Sequence, residues 1–355
     1  MSDKGRIMVG MSGGVDSSVA ALLLQKDGWD VAGVTMLLKP SCILTDDDRQ
    51  KMYREAQDAA EVCRVLGIKH FTPDFSELFR ENVIEYFAGE YFEGRTPNPC
   101  VMCNKTMKFG RMLDFAEENG YGYIATGHYA RIEKSGGRFL LKKADNRKDQ
   151  SYFLYSLNQR QLARTIMPLN RMEKPEARAL AEEYGLPVAQ KPDSQEVCFV
   201  KNDDYITFIE HYSGRKAAPG HFIDENGHVL GEHKGIYRYT IGQRKGLGIT
   251  FGEPRFVTSI DPLSNTVTLG RDGSQYKSSL TAGNLNFIPF DRLEGEIEAE
   301  AKVRYQASPS PARVLPMEGG KVKVLFTEPQ RSVTPGQAVV FYNGDIVIGG
   351  GTIEA

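Results

Sequence analysis

The sequence contains little cysteine and no long apolar run, and these absences exclude several classes of protein. Its 355 residues include five cysteines, an odd number that is unevenly spread. A secreted domain held by disulfides has a paired, regularly spaced set, so that class is excluded. No apolar run approaches the roughly 20 residues that cross a bilayer. The first residues lead straight into a strand pattern, which leaves no room for a signal peptide. We therefore expect a cytoplasmic protein with no membrane partner.

An excess of positive charge is also missing. The formal net charge is −2, which gives no global support for a nucleic-acid partner. Any RNA-binding function would need local basic patches instead. Hydrophobic residues make up 41% and charged residues 25%, a balance typical of a globular protein. A chain of this length predicts two or three domains.

The two commonest phosphate-binding patterns, G-x-x-x-x-G-K-[ST] and G-x-G-x-x-G, do not occur. A different glycine turn is present near the start, where the apolar residues 7–9 lead into the letters SGGVDSS and then a helical pattern. Glycines let the backbone approach an anion, and the first N–H groups of a helix point at it. Ser12 and Ser17 add hydroxyl donors, and Asp16 is a candidate ligand for Mg²⁺ beside the phosphates. This stretch predicts a phosphate site.

The first 200 residues alternate strand and helix patterns, which predicts a doubly wound parallel sheet. Predicted strands cover residues 7–10, 31–38, 70–73 and 123–126, and predicted helices cover 16–26, 48–66, 77–93 and 174–184. Residues 40–47 read as a polar connection. Residues 131–143 read as a hairpin around Ser135, Gly136 and Gly137.

After about residue 205 the helical signal fades and short alternating runs follow. Strands are predicted at residues 256–260, 266–269, 296–305, 312–316, 321–326 and 338–342. From about residue 280 the pattern is that of a small all-β barrel. We place the domains at 1–207, 208–278 and 279–355. The appended β domain either holds a macromolecule or serves oligomerisation.

A C-x-x-C pair is the second informative feature. Cys100 and Cys103 follow two prolines, and Lys105 and Lys108 lie just downstream, where positive charge favours thiolates. A third cysteine, Cys198, stands in the letters SQEVCF. The pair fits redox chemistry, half of a zinc site or part of an iron–sulfur site. A complete structural zinc site is excluded because no second C-x-x-C or H-x₃₋₅-H occurs.

Six motifs together resemble one family. In chain order they are SGGVDSSVAA, GRTPNPC-x-x-CN-x-x-x-KF, ATGHYAR, KDQSYFL, SQEVCF and YTIGQRKGLG. The chain is similar over essentially its whole length to the tRNA-specific 2-thiouridylases, which thiolate the wobble uridine of tRNAs for glutamate, glutamine and lysine. The resemblance implies an α/β fold: an N-terminal Rossmann-like ATP pyrophosphatase domain of the PP-loop type, a small central tRNA-binding domain and a C-terminal all-β barrel.

The resemblance also implies site residues. ATP would be bound with Mg²⁺ by Gly10, Met11, Ser12, Gly13, Gly14, Val15, Asp16, Ser17, Met36 and Gly127. Asn98, Pro99 and Cys100 would line the pocket of a flipped-out target base. The other positions that match tRNA contacts are His128, Lys148, Asp149, Gln150, Arg304, Tyr305 and Gln337.

Two sulfur routes follow from the resemblance. In one, Cys198 carries a persulfide delivered by a cysteine desulfurase or a relay protein, and Cys103 helps to release the sulfur as a Cys103–Cys198 disulfide forms. In the other, Cys100, Cys103 and Cys198 hold a four-iron cluster whose open iron binds sulfide. The second route arises because Cys100 stands where many relatives carry Asp.

Two other readings of the sequence stay open. Another PP-loop enzyme, such as a tRNA lysidine synthetase or a GMP synthetase, would need no third cysteine opposite the C-x-x-C pair. A non-catalytic RNA-binding or redox-sensing protein would release no AMP or pyrophosphate. Residues 237–248 combine aromatic side chains with Arg238, Arg244 and Lys245, as an RNA-contacting loop does.

Overall fold

The computed structural model describes residues 4–191 and 197–355, which form two compact units. The first unit comprises residues 4–83, 100–191 and 345–347. The second comprises residues 84–99, 197–344 and 348–355. Residues 192–196, which include the first three letters of SQEVCF, lie outside the described residues. In the described ranges no helix is both long and apolar enough to cross a membrane.

The elements are numbered in chain order. The strands are β1 (Arg6–Gly10), β2 (Asp30–Val34), β3 (Lys69–Phe71), β4 (Tyr123–Ala125), β5 (Arg131–Ser135), β6 (Arg138–Lys142), β7 (Thr165–Ile166), β8 (Gly220–Ile223), β9 (Val229–His233), β10 (Phe256–Asp261), β11 (Thr266–Gly270), β12 (Tyr276–Phe287), β13 (Ile297–Lys302), β14 (Ser310–Met317), β15 (Lys321–Arg331), β16 (Ala338–Asn343) and β17 (Ile346–Ile353). The α-helices are α1 (Val15–Lys26), α2 (Asp46–Leu66), α3 (Ser76–Phe79), α4 (Glu85–Phe92), α5 (Pro99–Cys103), α6 (Met112–Glu118), α7 (Gln159–Ala163), α8 (Lys174–Glu183) and α9 (Tyr205–Ser213).

The first unit is built on a parallel sheet with the strand order β3-β2-β1-β4-β7. Val9 of β1 lies opposite Gly33 of β2 and Ala125 of β4, so β1 is the centre of the sheet. Helix α1 buries eight of its twelve residues, because it belongs to the same apolar core as β1 and α8. The predicted doubly wound sheet is confirmed. Strand β2 is shorter than the predicted 31–38, since beyond Val34 only Leu37 makes an isolated bridge.

Two long helical segments depart from the sequence prediction. The segment predicted as one helix over 77–93 is α3 and α4 separated by a π-helical stretch, Arg80–Ile84. A helical segment that the pattern did not predict runs through α5, a π-helical stretch at Asn104–Arg111, and α6. Pro99 at its first position is compatible with a helix start, because proline has no N–H to satisfy there. Single π-turns are frequent at functional sites.

A capping box places the start of another helix earlier than the sequence pattern predicts. Helix α2 begins at Asp46, inside the predicted polar connection, because Thr45 and Asp48 form a capping box. The Thr45 side chain accepts from the Asp48 N–H at 3.3 Å, and the Asp48 carboxylate accepts from the Thr45 N–H at 3.1 Å. The predicted hairpin is present as β5 and β6. Its turn glycines, Gly136 and Gly137, have φ of 58° and 83°, which suits a tight two-residue turn.

The second unit contains two β structures. A four-stranded sheet, β10-β11-β8-β9, packs around the buried Phe222, Val257 and Leu269. Strands β12, β15, β14, β13, β16 and β17 follow one another around a barrel that closes by pairing of β12 with β17. This confirms the predicted barrel, although β12 and β17 were not among the predicted strands. Strand β12 runs across residue 278, and the two domain boundaries stay predictions.

Candidate functional site

The phosphate loop, residues 10–17, lies at the carboxyl end of the central strand. Strands β2 and β4 flank β1 on opposite sides, so the strand order reverses here. Open parallel sheets bind ligands at such a switch point. Helix α1 starts within the loop at Val15, with Gly14 as its N-cap and no side-chain hydrogen bond from that cap. The first N–H groups of α1 are therefore available to an anion, at the end of the helix that favours negative charge.

Serine hydroxyls and a close backbone contact fix the loop conformation. The Ser17 hydroxyl accepts from the Ser12 N–H and donates to the Gly14 carbonyl, both at 3.2 Å. Gly13 has a φ of 66°, and a Cβ there would lie 2.5 Å from the backbone oxygen of Glu55. Only glycine fits this position, because both the conformation and the space exclude a side chain.

Hydrogen bonds from a residue after β2 and a residue of β3 hold the start of the phosphate loop. The Thr35 hydroxyl donates to the Met11 carbonyl at 2.9 Å and lies 2.9 Å from His70 Nε2. Since its one proton goes to Met11, Thr35 accepts from a neutral His70 Nε2–H. Burial lowers the pKa of His70, which favours this neutral form. Met36 follows, half-buried, after the end of β2.

Asp16 in the first turn of α1 is held by two residues that the sequence reasoning missed. The Lys174 ammonium lies 2.8 Å from each carboxylate oxygen, and the Tyr129 hydroxyl donates to Oδ1 at 2.8 Å. Lys174 begins α8, 158 residues away along the chain, so no local pattern could pair it with Asp16. The predicted phosphate site thus has a lysine beside it, which comes from α8 and not, as in the Walker pattern, from the loop itself.

Gly127 packs directly against the phosphate loop. A Cβ at Gly127 would lie 2.8 Å from the carbonyl carbon of Asp16 and 2.8 Å from the Ser17 nitrogen. The segment after β4 and the start of α1 are therefore in backbone contact. The structure brings Gly127 together with the contiguous loop residues, as the resemblance implies for an ATP site.

The C-x-x-C pair lies on helix α5. Cys100 is exposed and Cys103 is buried, with 8% of its surface accessible. Although Cys100 keeps contact with solvent, the surrounding protein desolvates its thiol and raises the pKa, and the charge of Lys108 opposes that effect. The two thiols thus stand in different surroundings.

His128 is placed as a neutral, packed residue. Its Nδ1 lies 2.8 Å from the Thr126 hydroxyl, and its ring packs 5.6 Å from the Phe109 ring, centroid to centroid. Desolvation holds the pKa of His128 well below its usual value, and the charge of Lys108 adds to the shift. A neutral imidazole offers hydrogen bonds to a partner but no charge for a phosphate.

The predicted tRNA contacts at 148–150 differ in what their side chains already bind. Asp149 closes its own loop by accepting from the N–H groups of Ala144 and Ser151, at 3.0 and 3.2 Å. Gln150 accepts from the Tyr129 N–H at 3.0 Å. Lys148 is exposed. The first two side chains therefore support the fold of this loop.

Cys198 lies in the second unit, where its neighbour anchors it. The Cys198 side chain is exposed, whereas Phe199 is buried. The Phe199 ring packs edge-on against Phe87 of α4 and tilted against Phe208 of α9, with both centroid distances 5.2 Å. This aromatic cluster fixes the backbone beside an exposed thiol.

The remaining predicted tRNA contacts also belong to the second unit. Arg304 and Tyr305 are exposed, and the Lys302 ammonium lies 5.2 Å from the centre of the Tyr305 ring. Arg238 forms an ion pair with Glu210, whereas Arg244 and Lys245 are exposed. Asn98 and Pro99 belong to this unit, and the Gln337 side chain donates to the carbonyls of Thr96 and Pro97, just before them in the chain.

A glycine loop with free helix N–H groups at the switch point of a parallel sheet defines a nucleotide-binding α/β protein. Family profiles match three successive parts of the chain. They are described as a tRNA methyl transferase HUP domain over residues 5–202, a tRNA methyl transferase PRC-barrel domain over 206–271 and an aminomethyltransferase beta-barrel domain over 277–353.

Curated relatives match over almost the whole length. The chain is 49% identical to the tRNA-specific 2-thiouridylase MnmA of Clostridioides difficile, over 98% of both chains. It is also 49% identical to the protein of the same name from Acetivibrio thermocellus, over 99% of both chains. The chain belongs to the tRNA-specific 2-thiouridylase family. The resemblance found in its motifs is thereby confirmed, and so is the fold class.

Proposed function

We propose that this protein is a tRNA-uridine 2-sulfurtransferase that uses ATP to form 2-thiouridine at the wobble position. The observation that carries the proposal is the phosphate loop within a chain that is 49% identical to named 2-thiouridylases over 98% of its length. Both the activating half and the sulfur-transfer half of the reaction have residues to perform them.

The phosphate loop supports the activation step. The first N–H groups of α1 and the Ser12 hydroxyl bind the phosphates of ATP, while the Ser17 hydroxyl holds the loop by donating to the Gly14 carbonyl. The uracil O2 oxygen attacks the α-phosphorus, pyrophosphate leaves, and the C2 carbon then carries an adenylate leaving group. The positive charge of Lys174 offsets the negative charge of the Asp16 carboxylate, so the carboxylate repels the incoming phosphates less.

The cysteines support the sulfur transfer. Cys198 receives a sulfur atom as a persulfide, and its terminal sulfur attacks C2 as AMP leaves. The Cys103 thiolate then attacks the Cys198 sulfur, which releases 2-thiouridine and forms the Cys103–Cys198 disulfide. An external dithiol reduces that disulfide and restores both thiols. The exposed position of Cys198 suits a group that must accept sulfur from a donor.

The target base reaches this chemistry only after it leaves the stack. We assign Asn98, Pro99 and Cys100 to its pocket. Exposed cationic side chains, among them Lys148, Arg244, Lys245 and Arg304, provide the local positive charge that tRNA phosphates require. The sulfur donor is a cysteine desulfurase or a relay protein, and the reaction takes place in the cytoplasm, where tRNA and ATP are present.

The residues present do not fit a Mg²⁺ ion held by the protein at Asp16, since Lys174 lies against both carboxylate oxygens. Mg²⁺ enters with ATP, because this ion keeps several waters and binds mainly through phosphates. An iron–sulfur cluster on Cys100, Cys103 and Cys198 stays a prediction. Its ligands would be three thiolates, because bound iron displaces the thiol protons. No step of the proposal runs through a cluster.

The test combines purified protein with labelled ATP, a tRNA transcript, a cysteine desulfurase with free cysteine as the persulfide donor, and a dithiol as reductant. We expect one AMP and one pyrophosphate for each thiolated tRNA, which a gel containing an organomercurial compound resolves. Cys198→Ser and Cys103→Ser should abolish thiolation, whereas the exposed control Cys42→Ser should not. Thiolated tRNA without AMP would contradict the activation step. An anaerobic sample with a broad visible absorption that Cys100→Ser removes would favour the cluster.

A further inference from the structure

Residues 96–98 are here called the pocket strap. The backbone of each of these residues is hydrogen-bonded to another part of the second unit. The Thr96 N–H donates to the Pro335 carbonyl at 2.9 Å. The side-chain amide of Gln337 donates to the carbonyls of Thr96 and Pro97, at 3.0 and 3.1 Å. The Asn98 backbone is hydrogen-bonded to the phenol of Tyr86. The strap contains no regular secondary structure. These individual hydrogen bonds therefore satisfy backbone groups that would pair with a neighbouring strand in a sheet.

The residues that tie the strap are themselves firmly placed. Gly336 has a φ of 89°, and a Cβ there would lie 2.8 Å from the Thr96 oxygen, so the barrel loop and the strap are in backbone contact. The Gln337 backbone pairs with β17 through the Ile353 N–H at 2.8 Å. On the other side, burial raises the pKa of Tyr86 to about 12, so it is a neutral phenol.

The sequence reasoning treats Gln337 as a contact to tRNA, but its amide nitrogen is engaged within the protein. A side chain that donates to two consecutive carbonyls holds a backbone geometry, and the strap leads directly into Pro99 and the helix that carries the C-x-x-C pair. Preorganised positions matter in catalysis because a misplacement of about 1 Å can cost roughly 100-fold in rate.

We propose that Gln337 and Tyr86 are positioning residues that hold the pocket strap in the geometry required by the target base. This inference rests on the proposed function, because the strap is assigned to the base pocket there. It gives the C-terminal barrel a role in the reaction: its β15–β16 loop supplies Gly336 and Gln337 to the active-site segment.

The test uses Gln337→Met and Tyr86→Phe, which remove the hydrogen bonds and keep the side-chain size. We expect the kcat of thiolation to fall about five- to tenfold in each, as the loss of hydrogen bonds of ordinary strength predicts. The Kd for tRNA should stay within about twofold of the parent value. The exposed controls Gln50→Met and Tyr276→Phe should leave both constants unchanged.

Hydrogen exchange provides a readout that does not need activity. Between Thr96 and Pro99 only Thr96 and Asn98 have a backbone N–H, because the other two residues are prolines. We expect Tyr86→Phe to speed exchange at Asn98, whose backbone bonds that phenol. Gln337→Met should speed exchange at Thr96, because its N–H bond to Pro335 opens more often once the bonds to the carbonyls of Thr96 and Pro97 are lost. Strands β13 and β14 should not exchange faster.

Two results would overturn the proposal. If Gln337→Met weakens tRNA binding about tenfold while exchange and kcat are unchanged, Gln337 is a tRNA contact and not a positioning residue. If both variants match the parent protein in kcat and in exchange, the strap does not depend on these bonds. A parent protein that makes no thiolated tRNA would refute the proposed function, while the exchange measurement would still decide how the strap is held.

Discussion

The Lys174–Asp16 ion pair makes a sharp prediction about the phosphate loop. Only 12% of the Lys174 side chain and 32% of the Asp16 side chain are exposed. Removing one partner of a buried pair costs roughly 3–5 kcal/mol, whereas an exposed pair contributes about 0–1 kcal/mol. Asp16 keeps some solvent and the Tyr129 hydrogen bond. We therefore expect Lys174→Met to lower the free energy of unfolding by about 2 kcal/mol.

The single tryptophan provides the assay, because Trp29 belongs to the core of the first unit and packs edge-on against Tyr123 at 5.2 Å. Urea unfolding followed by its fluorescence reports on this unit. In a double-mutant cycle with Asp16→Asn, the coupling energy should be about 1–2 kcal/mol. Lys26→Met is the matched control: it removes an exposed lysine at the other end of α1 and should cost under about 0.5 kcal/mol.

The same variant should weaken the use of ATP. Without Lys174, the Asp16 carboxylate faces the incoming phosphates uncompensated, so kcat/KM for ATP in pyrophosphate exchange should fall at least about tenfold. Asp16→Asn should restore part of that loss in the double variant. A coupling energy near zero, together with unchanged exchange kinetics in Lys174→Met, would refute the reasoning.

Three further predictions concern other parts of the chain. Gly127→Ala places a Cβ 2.8 Å from backbone atoms of the phosphate loop, so Trp29-monitored unfolding should show a loss of about 1–3 kcal/mol; an unchanged midpoint would contradict this contact. Burial lowers the folded-state pKa of His128 from 6.5, so below about pH 6.5 the unfolded chain binds a proton that the folded protein does not. The free energy of unfolding should therefore fall by up to about 1.4 kcal/mol for each pH unit. His128→Gln should flatten that slope. Neutralising Arg244 or Lys245 should reduce the salt dependence of tRNA binding by about one phosphate contact each, and an unchanged slope would exclude them.

Local chemistry made much of this protein predictable from its sequence. The SGGVDS turn follows an apolar strand and precedes a helix, and that order predicts a phosphate site because helix N–H groups and glycines act over a few residues. The hairpin around Gly136 and Gly137 is local in the same sense. The barrel was predictable as a class from its short alternating runs, although β12 and β17 were missed.

Other features escaped because their sequence signals were weak or absent. The helical segment at 99–118 begins with prolines and passes through a π-helical stretch, so its periodicity does not follow the α-helical pattern. Helix α2 begins two residues before its predicted start, because its capping box is not part of the apolar periodicity from which the helix was predicted. Both errors concern boundaries and irregular helices, where a few side-chain hydrogen bonds outweigh propensity.

The sequence alone indicated the kind of chemistry: a glycine loop suited to an anion, a C-x-x-C pair and a third cysteine, each defined by residues close together in the chain. Tertiary structure alone decided which distant side chains complete these sites. It brings Lys174 to Asp16 and Gln337 to the backbone of Thr96 and Pro97, 158 and 240 to 241 residues apart. Such contacts depend on how strands and helices pack, and packing leaves no short-range pattern from which the partner of a charge or a carbonyl can be read.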